Sequence, residues 1–112
     1  MAGTFSVNDQ PITILFDSGA SHTFISKECA DRLGLKIENM PSSYNIHSPG
    51  RQLITNQVVR RVPLQLQGKD FSAHLIVLPT QKVDIILGMN WMKEQGVLLD
   101  TNSHSVHIKP SI

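Results

Sequence analysis

Three consecutive apolar residues, Ile14, Leu15 and Phe16, run directly into a carboxylate, Asp17, and the chain then breaks into Ser18, Gly19, Ala20 and Ser21. An apolar run without polar alternation reads as a strand covered on both faces, so the rest of the chain must supply layers on either side of it. A charge at the end of such a strand is costly unless it is paired or has a task. The small residues that follow demand a tight loop. Asp17 is the residue that any fold for this sequence has to explain.

Short strand-like runs dominate the remainder. Residues 4–7 and 12–16 flank Asn8-Asp9-Gln10-Pro11, a polar turn that predicts a hairpin. A helix is predicted over 27–33, capped by Ser26, with Ile25 and Ala30 at hydrophobic-staple positions and Gly34 as its stop. Strands are predicted at 44–46, 52–55, 58–66 and 71–78, with breaks at 48–51 and 67–70. Pro49 and Gly50 suit the central positions of a type II turn, which places a hairpin tip there. Residues 63–67 alternate, so that strand should be half buried.

From Val83 an apolar strand ends at Gly88, Asn90 is placed to cap, and a one- to two-turn helix closes at Gly96. Residues 12–34 show the same order of apolar strand, Gly-containing loop, short helix and terminal Gly, but only the first copy has an acid in its loop. Residues 97–99 and 106–108 bracket DTNSHS as a last hairpin. The pattern predicts one mostly-β domain over 1–112, with one or two short helices and two weakly related halves.

A domain of 112 residues buries roughly two-thirds of its unfolded surface and folds without staples. The single cysteine, Cys29, excludes an internal disulfide and a multi-cysteine zinc site and suits a reducing compartment. A formal net charge of +1 leaves no field of the kind that nucleic acid requires. Residues 1–5 lack a basic and an apolar signal segment, and no apolar run approaches the roughly 18 residues of a membrane span. Neither nucleic acid nor membrane is expected as a partner.

The runs LFDSGASHTFIS (15–26), ADRLGL (30–35) and DIILGMNWM (84–92) together resemble the retropepsin-type aspartic proteases, most closely the protease domain of gypsy-class LTR retrotransposons. The resemblance extends over residues 5–108. It implies a closed, mostly-β barrel with one half-site per chain. It makes Asp17 the catalytic aspartate, Ser18 the hydroxyl that braces the loop against its counterpart, and Gly19 the residue that lets the backbone turn. Ala20 continues the loop and is assigned to substrate binding. Ile85, Ile86, Leu87 and Gly88 match an apolar element packed beneath the loop, with Ile86 among the substrate contacts. The hairpin at Pro49 and Gly50 falls where such proteases carry a flap. Tyr44, Ile46, Leu53 and Ile54 are candidate flap contacts, with ordinary strand packing as the alternative for each. No metal or other cofactor is implied. The resemblance further implies processing of a Gag-Pol-like polyprotein, in the cytoplasm or within virus-like particles. A domesticated cellular relative, such as the ubiquitin-shuttle proteases that carry a similar domain, would look much the same.

Chemistry supports the same partner. Peptide hydrolysis without metal or covalent intermediate needs one carboxylate to take a proton from water while another group donates one toward the carbonyl oxygen. Two aspartates about 3 Å apart do both, because like charges so close cannot both ionise and share one proton. This chain has one acid in such a setting, since Asp84 precedes its apolar run and Asp100 opens a turn. The second must come from a second copy, which predicts a homodimer with its active site on the two-fold axis. An extended peptide or polyprotein segment would lie in the cleft as an added strand. The rival reading is a catalytically silent dimerisation or peptide-binding module.

Other constellations carry less. Ser21-His22 near Asp17 superficially suggests a serine triad, but neighbours in one short loop do not align nucleophile, base and orienter. His104 and His107 have metal-like spacing only on a helix, and they fall in a turn and a strand. Trp91, Met89 and Met92 read as core, Cys29 as a buried apolar residue, and Arg60-Arg61 as a strand-edge pair. Two departures from the retroviral pattern stand out: Ser48-Pro49-Gly50-Arg51 replaces a glycine-rich flap tip, and Met89 follows Gly88 where many relatives have an arginine that helps hold the dimer. A stiffer flap and a dimer without that ion pair are expected.

Overall fold

The computed structural model describes residues 1–48, 51–79, 81–100, 102–103 and 105–108. Among the described residues, nine strands and two short helices follow in the order β1 (Ala2–Val7), β2 (Gln10–Phe16), β3 (Phe24–Ser26), α1 (Lys27–Arg32), β4 (Glu38–Ser48), β5 (Arg51–Leu66), β6 (Lys69–Leu78), β7 (Ile85–Leu87), α2 (Met89–Gln95), β8 (Val97–Asp100) and β9 (Ser105–Ile108). Seven strands form one sheet in the order β1-β2-β7-β3-β6-β5-β4, and β8 pairs with β9. The sheet curls until β1 packs against β5, enclosing a core that includes Ile12, Ile14, Ile25, Leu64, Leu75, Ile85 and Leu87. The mostly-β architecture with two short helices is the predicted one.

The tight turns are narrower than the sequence suggests. Val7 pairs with Gln10, so the first hairpin turns on Asn8 and Asp9 alone, both at positive φ, and Pro11 lies inside β2 opposite Ser6. Leu66 pairs with Lys69 across Gln67 and Gly68, again both at positive φ. Two-residue turns of this hand match the right-handed twist of the flanking strands.

Predicted strands 52–55 and 58–66 are one sixteen-residue strand, β5. Its irregularity lies elsewhere, between Val59 and Val62, where Arg61 sits at φ 58° and its N–H donates to His74 Nδ1 at 3.2 Å. A bulge of this kind bends a long strand without ending it. Arg60 is exposed and forks onto Glu38 with two 2.9 Å bonds, although its strand lies between β6 and β4 rather than at the sheet edge. The alternation expected at 63–67 is present, with Leu64 and Leu66 buried and Pro63 and Gln65 exposed. β4 and β5 are paired up to Ser48 and Arg51, while Pro49 and Gly50, the predicted hairpin tip, lie outside the described residues.

Ser26 caps α1, its Oγ accepting the Cys29 N–H at 3.0 Å, and Gly34 at φ 68° follows the helix end. Asn90, by contrast, is not a cap: α2 begins at Met89, Gly88 precedes it with no side-chain cap, and Asn90 is the second helical residue. Gly96, left-handed at φ 69°, closes the helix as predicted.

The two echoing segments interlock. β7 inserts between β2 and β3, parallel to the first (Ile14 opposite Ile85, Phe16 opposite Leu87) and antiparallel to the second (Ile25 opposite Ile85). The loop from Asp17 to Thr23 therefore has to pass around the end of β7.

Candidate active site

Asp17 stands at the point where β2 leaves the sheet. Its backbone N–H donates to Leu87 O at 3.0 Å, extending the pairing with β7 by one bond. Its carboxylate turns back on the loop, Oδ1 accepting the Gly19 N–H at 2.9 Å, and its carbonyl accepts the Ala20 N–H at 3.2 Å. The loop is thus folded around the acid.

What holds the loop down comes from the second motif. Met89 N–H donates to Ala20 O at 2.8 Å, and Gly88 N–H donates to Thr23 Oγ1 at 3.1 Å. The Thr23 hydroxyl in turn donates to Asn90 Oδ1 at 3.3 Å, so this buried side chain uses both its donor and its acceptor capacity. Gly88 is buried beneath the loop, where a Cβ would fall inside van der Waals distance of His22 O and 2.8 Å from Ala20 O. Only glycine fits there without displacing the loop.

Beside the loop lies a cleft of about 530 Å³, lined by Asp17, Gly19, Ala20, Ser21 and His22 of the loop together with Phe24, Asn45, Ile46, Leu78 and Ile86. Of the predicted site residues, Asp17, Gly19, Ala20, Ile46 and Ile86 meet here. Ser18 is exposed and faces a second hollow of about 350 Å³, shared with Met89, Met92, Val97, Leu98 and Leu99. Tyr44 stays out of the cleft lining and stacks edge-on against the His22 ring at 6.2 Å. Leu53 pairs with Ile46 across the β4–β5 ladder, and Ile54, 63% exposed, is among the exposed large apolar residues. Pro49 and Gly50 lie outside the described residues.

Thr23 is the positioning residue that sequence reading missed. Its signal was a hydroxyl directly before an apolar strand, where burial requires a partner. Asp84 was also undervalued: its carboxylate accepts the Thr13 N–H at 2.9 Å and pairs with Arg32 at 3.2 Å, tying α1 to the sheet. Among the described residues that line the cleft, Asp17 is the one carboxylate.

Ser21 Oγ and His22 Nδ1 do approach, at 3.0 Å, but Asp17 Oδ1 bonds the Gly19 N–H and no bond between Asp17 and the imidazole exists among the described residues, so no triad is aligned. His104 lies outside the described residues, and His107 Nε2 meets Ser105 Oγ at 3.0 Å. Trp91 and Met92 are core residues as expected; Met89 is not, at 36% exposed. It is the first residue of α2, and it flanks Ser18 at the second hollow rather than facing inward.

Cys29 is fully buried, and its thiol is pushed up to about 11, first by burial and then by the nearby Asp84 charge. A thiol in that state is no nucleophile at neutral pH. Because the folded state holds the thiol proton above the free value of 9.0, its stability contribution is intact below pH 9 and is lost as pH rises toward 11. Urea titrations from pH 8 to 11 should therefore show wild type losing stability relative to Cys29→Ala, with a slope of up to about 1.4 kcal/mol per pH unit. A difference between the two proteins that does not change with pH would contradict the assignment.

This geometry agrees with comparisons to known proteins. A protein DNA-DAMAGE INDUCIBLE 1 of Arabidopsis thaliana is 27% identical over 96 residues, which are 84% of this chain and 23% of that protein. The DDI1 homolog 2 of Mus musculus is 26% identical over 95 residues, 84% of this chain and 24% of the homolog. The chain thus spans about a quarter of the length of these relatives. Among solved structures, the retroviral protease-like domain of Ddi1 from Leishmania major superposes with a TM-score of 0.76 at 19% identity, covering 96% of this chain and 85% of that one. An inhibitor complex of the EIAV protease gives 0.70 at 19% identity, covering 89% and 91%. Both share the fold. A family model described as retroviral aspartyl protease matches residues 1–112 throughout. With that match spanning the loop, its acid and the glycine that underlies it, the chain belongs to the retroviral aspartyl protease family.

Proposed function

We propose that this chain is an aspartic endopeptidase that works as a symmetric homodimer, each copy supplying one Asp17. The observation that carries this reading is the placement of Asp17: it is the sole carboxylate among the described cleft residues, on a loop fixed by bonds from β7 and α2. In the dimer the two acids share a proton. The ionised one takes a proton from water as the oxygen attacks the peptide carbonyl, and the protonated one donates to the carbonyl oxygen. Collapse of the tetrahedral diol returns a proton to the departing nitrogen and regenerates the pair.

The hollow beside Ser18 supports the dimer. A second copy that brings its Asp17 within reach must approach the loop containing Ser18, and so covers the exposed Met89 and Leu98 that share that hollow. These side chains offer an apolar contact where many relatives have that ion pair, in keeping with the expected dimer without it. Leu98→Lys should weaken self-association by at least about tenfold, since a desolvated ammonium costs more than the 1.4 kcal/mol that factor requires. Sedimentation would report it, together with loss of activity that returns at higher protein concentration.

The named relatives are proteins of plant and animal cells, which favours a cellular protease over processing of a retrotransposon polyprotein. The test is cleavage of a peptide library between about pH 4 and 7, an interval that brackets titration of carboxylate pairs. A rate per chain that rises with protein concentration supports the dimeric enzyme. Absence of cleavage at concentrations where sedimentation shows dimer would establish the silent binding module instead.

A further inference from the structure

The cleft lining is mixed in chemistry. Phe24, Ile46, Leu78 and Ile86 are apolar and Asn45 is a neutral amide, whereas the loop after Asp17 carries His22 between Ser21 and the buried Thr23. Among the described lining residues, Asp17 and His22 are the only titratable groups, and neither Lys nor Arg is present. The His22 ring is held by neighbours on several sides. Its ring lies 6.3 Å from the Phe24 ring and 6.2 Å from the Tyr44 ring, and its Nδ1 is 3.0 Å from Ser21 Oγ. The other ring nitrogen, Nε2, has no partner among the described residues.

We infer that His22 is a specificity residue, and that it selects extended peptides carrying a hydrogen-bond acceptor side chain, Asp, Glu, Asn or Gln, at one position flanking the scissile bond. The inference rests on the endopeptidase reading above and adds its substrate class. When the Ser21 hydroxyl donates to Nδ1, or when the ring is protonated, Nε2 carries a proton and donates. Held by Ser21 and by two aromatic rings, that donor sacrifices little freedom on binding, which is what makes one hydrogen bond discriminating. A substrate Lys or Arg at the same position meets a donor instead of an acceptor. Neighbouring side chains of an extended substrate point alternately to opposite sides, so the positions on either side of the selected one fall to the apolar lining residues or to solvent.

The test gives wild type, His22→Phe and His22→Gln the same degenerate peptide library and reads the cut sites by mass spectrometry. Wild type should enrich acceptor side chains over Leu and Met at one position by about five- to tenfold, the range of a single well-formed hydrogen bond. His22→Phe keeps an aromatic ring against Phe24 and Tyr44 but has no donor, and should bring the ratio to within about twofold of unity. His22→Gln restores an N–H donor and should recover part of it. The ratio is internal to each enzyme, so the variants need not cut at equal rates. Enrichment that survives His22→Phe, or a wild type that favours basic residues, overturns the inference. Binding of uncleavable reduced-amide peptides, with Glu or Leu scanned through each position, separates this from failure of the protease reading. A wild type that cuts nothing yet binds a Glu peptide more tightly in a His22-dependent way overturns the endopeptidase alone. No His22-dependent difference in binding overturns the inference.

Discussion

Asp17→Asn should lower peptide cleavage by at least about a thousandfold, within the range that general acid–base groups contribute, while leaving the fold intact. The substitution keeps the side-chain carbonyl that accepts the Gly19 N–H, so the 2.9 Å bond shaping the loop can persist. What it removes is the proton-accepting oxygen, and in a homodimer it removes both at once, because every copy carries the change. An amide can neither take the proton from water nor share one with its twin. Mixed dimers sharpen the test. Wild-type and Asp17→Asn chains mixed in equal amounts should lose more than half of the activity, since a heterodimer holds a single acid. A loss of only one half would mean that each chain works alone, and would sink the two-copy site.

Gly88→Ala should produce the largest change in stability, about 4 kcal/mol or more, by the route of overpacking against atoms that cannot move away. The new methyl would meet His22 O and Ala20 O, both backbone atoms of the loop that carries Asp17. A side chain could rotate aside; the loop can yield only by lifting, which breaks the Met89 N–H bond to Ala20 O and the Gly88 N–H bond to Thr23 Oγ1. A domain of this size has a total stability of roughly 5–15 kcal/mol, so the variant should unfold near ambient temperature or lose cleft geometry. Thr23→Val makes a graded comparison: it keeps the volume but leaves the Gly88 N–H unpaired in a buried place, at a cost of about 1–3 kcal/mol. Denaturant titration of both variants would check the order. A Gly88→Ala protein as stable as wild type would show that the loop does not rest on that residue.

Much of this molecule can be read locally. Most of the strands, though not β3 or the first half of β4, together with the Ser26 cap, the closing Gly34 and Gly96, and Asp17 at the end of an apolar run, follow from short-range rules, since each depends on residues within a few positions of itself. Turn widths and strand continuity were less legible. Asn8 and Asp9 suffice for a hairpin once β2 is held by β7, and the tertiary ladder then draws Pro11 into the strand. Likewise β5 runs unbroken past Asn56 and Gln57 because the β4 ladder along its first half reaches Val58, where the β6 ladder takes over, and the bend moves to Arg61, where the His74 ring accepts its N–H.

Asn90 and Met89 show the limit most clearly. In isolation Asn90 is a good helix cap, but Gly88 has to pass under the loop and continue straight into the helix, so Asn90 becomes an exposed second helical residue whose Oδ1 accepts the Thr23 hydroxyl. Met89 fits an apolar helical stripe, yet the crossing of β7 between β2 and β3 aims the start of α2 toward Ser18 and the surface. The amino-acid sequence by itself determined the strand-rich class, the two motifs and the acid that ends the apolar run, because periodicity, turn chemistry and an isolated charge are local properties. Only the tertiary structure decided that the motifs interlock, that Thr23 and Gly88 support the loop, and that His22 shares the cleft with Asp17. Those facts depend on which strand lies beside which, and parallel neighbours such as β2 and β7 are brought together by packing and hydrogen bonding across a long span of chain, where no local rule reaches.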